Sequence, residues 1–265
     1  MRLLAGLHYL VLEERASWDD VGAALEGEGA FLRRFATERV VQTNEVQRAW
    51  CLLPALLSVS DGRPLDVLEL GPSAGLNLVW DRYAYRYSSG SWGNGALVLQ
   101  GEDRVPPPAE LFSQHVEVVR RRGIDLSPVD VTTDDGARLL ESFVWADQES
   151  RIARLRTAIE VLRSDPPELT AGDYGSALPG LLADRVEDAQ LVVFETVSTH
   201  YLSRGEHEQL AKAMSDAGTV EPFTYITTYS AETDDGFELS VVDWPSAEKR
   251  VLLRMDFHGA WLEWL

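Results

Sequence analysis

Residues 65–83, LDVLELGPSAGLNLVWDRY, constrain the fold more than any other stretch of the chain. LDVLEL has strand character and runs straight into Gly71-Pro72-Ser73-Ala74-Gly75, after which LNLVWDRY carries a helical pattern. A strand with apolar residues on both faces needs cover on both faces, and a helix that brings the chain back for a parallel neighbour supplies it. Further strand-like segments follow: GIDLS, LTA, LVVFE, and then FTYITTYSAE, FELSVVD and KRVLLRMDF. Helical segments alternate with the strands up to about residue 218, and the last strands lie close together. This alternation predicts an α/β fold, with a mainly parallel Rossmann-type sheet, helices on both faces and an antiparallel edge.

The first sixty residues read as helical. AFLRRFATERV repeats its apolar residues at helical spacing, and Asn44 with Gln47 marks a capped helix from Glu45 to the turn Asp61-Gly62-Arg63-Pro64. The domain reading is therefore a helical segment over 1–62 and an α/β domain over 63–265. YAYRYSSGSWGNGALVLQGE alternates Tyr and aliphatic residues around glycines, which predicts a β-hairpin insertion at about 84–104. A short helix is expected over His115–Arg122 and a long one over Gln148–Arg163. The helical pattern at Met1 is apolar on nearly every face and has no cap, so it calls for burial on every side. A partner chain, the front of a larger fold, or this same chain could provide that burial.

Composition narrows the function. With 24 basic and 43 acidic residues the net charge is −19, and no Lys/Arg cluster tracks phosphates. Nucleic acid and anionic membranes are poor partners. One cysteine, Cys51, excludes an internal disulfide and any multi-thiolate metal site. The start lacks a signal-peptide pattern, and no apolar run is long enough to span a membrane, so a cytoplasmic protein is expected. His115-Val116-Glu117 and Asp256-Phe257-His258 lack further ligands, and no metal is expected.

The loop at 71–75 fits two chemistries. As G-x-S-x-G it would present Ser73 as a nucleophile, with His258 and either Asp243 or Asp184 as partners. Only one clear strand precedes it, however, and no HGG-like oxyanion segment is present. As Glu69-x-Gly71-x-x-x-Gly75 it is an acidic, glycine-bearing cofactor loop. Asp125 ends the next strand where a ribose diol would be held, and Asp173 offers a second acid. Glu195 closes LVVFE, where ligands of open α/β sheets bind. Asn77 and Asp81 share one face of the following helix, and Tyr83 lies on its apolar side. Glu45 and Arg48 stand three apart on one helix.

The succession E-x-G, G-I-D-L-S-P, G-D and a strand leading to H-Y-L-S resembles the class I S-adenosylmethionine methyltransferase fold over residues 65–203. More closely, RVVQTNEVQR, GPSAGLNLVWDRY, GIDLSPVDV, VWADQ and DFHGAWLEW resemble a bacterial domain-of-unknown-function family of methyltransferase-like proteins. Members of that family usually carry a further helical segment in front. A split member resembles the larger subunit of the two-chain enzyme that closes an aziridine ring in azinomycin-type antibiotic biosynthesis.

That resemblance implies an intramolecular substitution, in which an amine displaces a sulfate ester without a cofactor, and a small helical partner subunit at the N-terminus. Glu195 or Asp81 would accept the amine proton. Glu45, Arg48, Ser73, Asn77, Arg82, Tyr83, Trp145 and His258 would bind substrate, with Arg48, Arg82 and the loop at 71–77 candidates for the sulfate. The alternative is an S-adenosylmethionine-dependent methyltransferase using Glu69, Gly71, Gly75, Asp125 and Asp173. A catalytically inert scaffold subunit is the third reading. Two departures bear on the cofactor: Ser73 stands at the middle glycine of the methyltransferase loop, and about fifty residues separate Gly75 from Asp125, where about twenty are usual.

Overall fold

A computed structural model of the chain describes residues 1–231 and 236–265; Glu232, the end of one predicted strand, lies outside the described residues. In chain order the helices are α1 (Arg2–Leu12), α2 (Val21–Gly27), α3 (Gly29–Glu38), α4 (Arg48–Val59), α5 (Asp134–Ser142), α6 (Glu149–Arg163), α7 (Leu178–Ala183) and α8 (Arg204–Val220). The first six strands are β1 (Leu65–Leu70), β2 (Ala84–Tyr87), β3 (Gly90–Trp92), β4 (Val98–Gln100), β5 (Glu102–Val105) and β6 (Val118–Asp125). They are followed by β7 (Glu168–Ala171), β8 (Gln190–Phe194), β9 (Phe223–Ser230), β10 (Phe237–Trp244), β11 (Glu248–Met255) and β12 (Trp261–Trp264).

Two compact units result: Met1–Asn44 with Val129–Pro166, and Glu45–Pro128 with Pro167–Leu265. This division differs from the boundary expected at residue 62. α4 is buried from Arg48 to Leu57 and belongs with the sheet, because a helix apolar on every side needs cover all round. Residues 129–166 join the N-terminal helices through pairings remote in sequence.

In the first unit, Leu7 and Leu10 pack with Ala24 and Leu32, and Tyr9 packs with Phe35 against Leu139 and Phe143. The Tyr9 hydroxyl donates to Asp135, and Arg138 bonds Glu13 at 3.1 Å. His8 Nδ1 lies 2.9 Å from the Val144 carbonyl. Burial of α1 covers Ala5–Leu10, while Met1, Leu3 and Leu4 stay exposed. Met1, Leu4, His8, Trp18 and Trp145 line an open cleft of about 450 Å³.

The second unit holds a nine-stranded sheet of order β5-β12-β11-β10-β9-β8-β1-β6-β7. The run β7-β6-β1-β8-β9 is parallel throughout, β10, β11 and β12 add the antiparallel part, and β5 returns parallel to β12. The Rossmann-like α/β architecture expected from the alternation is thus present. On one face, α7 and α8 bury Leu178, Leu182, Leu210 and Met214 against Leu68, Leu70, Leu191 and Val193. By strand alternation Asp66 shares that face, whereas Val67 and Glu69 point to the other, where α4 lies.

Three local expectations need correction. Residues 118–122 form part of β6, not a helix: the β-branched pair Val118-Val119 suits a strand, and the three arginines after it are not a solvated helical face. Asp66 takes Arg120 at 2.7 Å and Arg122 at 2.9 Å, and Arg121 pairs with Asp81 at 2.5 Å. The helix expected from Glu45 begins at Arg48, since Glu45 Oε1 accepts the Gln47 amide and holds the preceding residues in a turn. The 84–104 insertion does contain the hairpin, Tyr85 opposite Trp92, but β4 adds parallel to β2 and β5 leaves for the main sheet.

Asp66 and Arg122 are both almost wholly buried, so removing Asp66 leaves the buried Arg122 charge facing the exposed Asp184 carboxylate at 3.7 Å. Asp66→Asn is expected to destabilise the fold by about 3 kcal/mol or more. Urea unfolding at neutral pH measures this, and a loss comparable to that of an exposed Asp61→Asn control would contradict it.

Candidate functional site

The sheet places a site where its strand order reverses. From β1 the chain continues to β6 on one side, and it returns later to β8 on the other. At such a switch point the loops diverge and open a crevice beyond the carboxyl ends of the strands. Three carboxylates stand there: Glu69 near the end of β1, Asp125 at the end of β6, and Glu195 just after β8.

Each carboxylate is held differently. Asp125 Oδ2 accepts the Ser73 amide at 2.9 Å and Oδ1 accepts the Ser127 amide at 2.8 Å. Glu195 is wholly buried; its Oε1 accepts Thr227 Oγ1 at 2.7 Å, the Thr228 amide at 2.6 Å and Thr228 Oγ1 at 2.9 Å. Its Oε2 takes the Thr199 amide at 3.3 Å. Glu69 is 1% exposed, and its Oε2 has no partner. Asn77 Oδ1 and Ser73 Oγ, on the loop and turn that follow β1, are also buried without a partner.

Burial pushes the Glu69 carboxyl up to about 8, and the Asp125 charge adds to the rise. A hydrogen bond from Asn77 opposes it, Glu195 raises it further, and the Arg48 charge lowers it. A carboxyl that exchanges its proton near neutral pH suits a general base, and it favours a cation or a proton donor as its neighbour.

The loop after β8 closes over the glycine turn. Val197 adopts φ 82°, ψ −15°, a conformation that costs a β-branched residue about 1–2 kcal/mol or more. Its amide donates to Thr228 Oγ1 at 3.0 Å, which helps to hold it there. Ser198 Oγ donates to the Leu70 carbonyl at 2.6 Å. Gly71 must be glycine: a Cβ there would lie 2.3 Å from Ser198 Cβ, and its φ is 71°. Ser198, Thr227, Thr228 and Tyr174 were not singled out from the sequence. The Thr-rich run in FTYITTYSAE was the available signal.

The remaining candidates are dispersed. Asp81 faces Arg121 in the middle of β6, away from the strand ends. Tyr83 is wholly buried and donates to the Leu76 carbonyl, so it fastens the 76–82 turn; Tyr85 and Tyr87 bond the Trp80 and Trp50 carbonyls in the same way. These bonds tie the insertion to α4 and the turn. Arg82 is half-buried at the end of that turn. Arg48 spans Phe257 O at 2.8 Å and Thr196 O at 3.2 Å. Across the length of the chain, His258 Nδ1 comes within 4.0 Å of Glu45 Oε2. Asp173 is exposed and held below the usual carboxylate range by the Ser176 hydroxyl and amide. Trp145 belongs to the first unit and lines its cleft. Among the described residues, no group of three His, Cys, Asp or Glu could hold a metal, and no helix is long and apolar enough to cross a membrane.

These contacts also test the cofactor implied by the methyltransferase resemblance. Both Asp125 oxygens, the expected acceptors for a ribose diol, already take backbone amides. Ser198 and Tyr174 crowd the face of Gly71, and the amides of residues 71, 73 and 75 bond the protein itself. The residues as arranged do not fit S-adenosylmethionine in that manner.

Glu69 binds its proton more tightly folded than unfolded, so its contribution to stability falls as pH rises from about 4.5 through about 8. Glu69→Gln mimics the protonated form. It is expected to leave stability unchanged near pH 4.5 and to raise it by up to about 5 kcal/mol above pH 8. Urea unfolding of both proteins across that range checks the slope.

No curated protein matches the chain. A family model described as "Uncharacterized protein conserved in bacteria (DUF2332)" matches residues 1–264, and the chain belongs to that family.

Proposed function

We propose that the sheet-bearing unit is a cytoplasmic small-molecule enzyme of specialised metabolism that catalyses intramolecular nucleophilic substitution without a cofactor. An ammonium group of the substrate sits against Glu69 and loses a proton to it. The freed amine attacks the neighbouring carbon from the side opposite its sulfate ester. The new C–N bond closes an aziridine ring as the C–O bond breaks, and sulfate leaves with the electron pair. The observation that carries this reading is Glu69: buried, with one oxygen unpartnered, and pushed by burial up to about 8. It takes the role first assigned to Glu195 or Asp81, whose oxygens are committed to threonines and to Arg121.

The protein's own work is positional. Ser73 Oγ and Asn77 Oδ1 are acceptors suited to the other ammonium protons. We assign the leaving sulfate to Arg82, on the turn that begins beside Asn77. Glu195 keeps the loop at 196–200 closed over the glycine turn.

The second reading, a methyltransferase, is supported by Glu69 and Asp125 ending adjacent strands. Calorimetric titration with S-adenosylmethionine separates the two, because micromolar binding would displace the cofactor-free reading. Turnover of an amino sulfate ester should fall by about a hundredfold or more in Glu69→Gln. Wild-type turnover in that variant would remove Glu69 from the chemistry, and no turnover by any form of the protein would favour an inert scaffold.

The exposed Met1, Leu4, Trp18 and Trp145 around the first unit's cleft support a helical partner chain, its apolar stripe laid into the cleft. Leu4→Glu should abolish co-elution with the small helical protein that such a complex would contain. Retained co-elution would place the partner elsewhere.

A further inference from the structure

Arg48 was expected to bind the leaving group, but its geometry points to other work. It is 9% exposed, at the first position of α4. Nε donates to the Phe257 carbonyl at 2.8 Å, and Nη1 donates to the Thr196 carbonyl at 3.2 Å. One guanidinium thus joins the loop after β8 to the loop between β11 and β12. The flanking residue reinforces the second loop: Gln47 Nε2 donates to the Gly259 carbonyl at 3.3 Å and to the Gln100 carbonyl at 3.0 Å. Gly259 lies so close that a Cβ would meet the Gln47 carbonyl at 2.6 Å, so this loop is pressed onto the helix start. The first loop carries Ser198 across Gly71, and the second carries His258 toward Glu45.

We propose that Arg48 is a positioning residue for Glu69: its fork ties the loop that covers the glycine turn to the loop between β11 and β12, and its buried charge acts on the Glu69 carboxyl. This proposal rests on the reading of Glu69 as the proton acceptor. The groups around Glu69 are Asp125 from β6, Glu195 after β8, Asn77 from the 76–82 segment, Tyr83 just after it, Tyr174 before α7, and Arg48 from α4. Arg48 is the cation among them, and it acts against the two carboxylates. Its two functions are separable. A lysine at this position keeps the charge, but a single ammonium cannot reproduce the planar fork.

The test reads Glu69 directly, without turnover. In protein labelled with ¹³C at glutamate carboxyls, and with Glu69→Gln identifying the resonance, the Glu69 midpoint is followed in wild type, Arg48→Met and Arg48→Lys. Arg48→Met should raise the proton affinity of Glu69, and Arg48→Lys should return most of it. Amide exchange at 196–200 and 256–260 should speed up in both variants, because neither has the fork. If Arg48→Met does not fold, Arg48→Gln takes its place, since it removes the charge and keeps an amide donor. A folded neutral variant with an unmoved Glu69 midpoint overturns the electrostatic role, and unchanged loop exchange overturns the positional one. Failure of the catalytic reading looks different: Glu69→Gln would turn over normally while the Arg48 variants still moved the Glu69 midpoint.

Discussion

One six-residue strand buries two carboxylates, and the sheet-bearing unit is organised around that constraint. Asp66 and Glu69 lie in β1, whose residues are all buried. A buried charge must be paired or lose its charge by taking up a proton. The chain uses both solutions, one on each face. Asp66 is paired by Arg120 and Arg122 of the adjacent β6, and Arg122 also bonds the Leu181 carbonyl of α7. Glu69 has an amide from Asn77 and no direct ion pair among the described contacts, so its proton becomes hard to remove. The first arrangement holds strand to strand. The second leaves a carboxyl with one unpartnered oxygen at the switch point of the sheet.

The surrounding loops share a pattern in which protein donors occupy positions that a ligand could have used. Asp125 is bonded by two amides, Glu195 by threonines and amides, and the glycine turn is covered by Ser198. Each bond is between groups of the chain itself, and each stiffens the frame around Glu69. Val197 and Ser73 both carry positive φ, so some backbone strain is retained beside the site. A frame already satisfied internally is suited to keeping one geometry around Glu69.

Parts of this were legible in the residues. LDVLEL, LVVFE and the helix ending at Arg163 have periodicities strong enough to stand alone, and the Gly71–Gly75 turn fell where expected. Glu69 stood out as the acid of the Glu69-x-Gly71 loop, and Glu195 as a charge closing an apolar strand. Their roles did not follow, because the donors that satisfy Glu195 come from Thr227 and Thr228, more than thirty residues on. VVRRR was misread because local pattern cannot show that Asp66 and Asp81 neutralise its arginines. The membership of residues 129–166 was equally hidden, since it depends on pairs such as Tyr9 with Asp135.

By itself the sequence determined the layered α/β class, the parallel core of the sheet and the acidic character of its strand ends, because these rest on apolar periodicity and on residue type at fixed positions. Only the tertiary structure decided that Glu69 keeps an oxygen without a partner, that Arg48 spans two loops, and that α4 belongs to the sheet. Those outcomes depend on which donors reach which acceptors after folding. Such distances arise between residues far apart in the chain, and no local pattern encodes them.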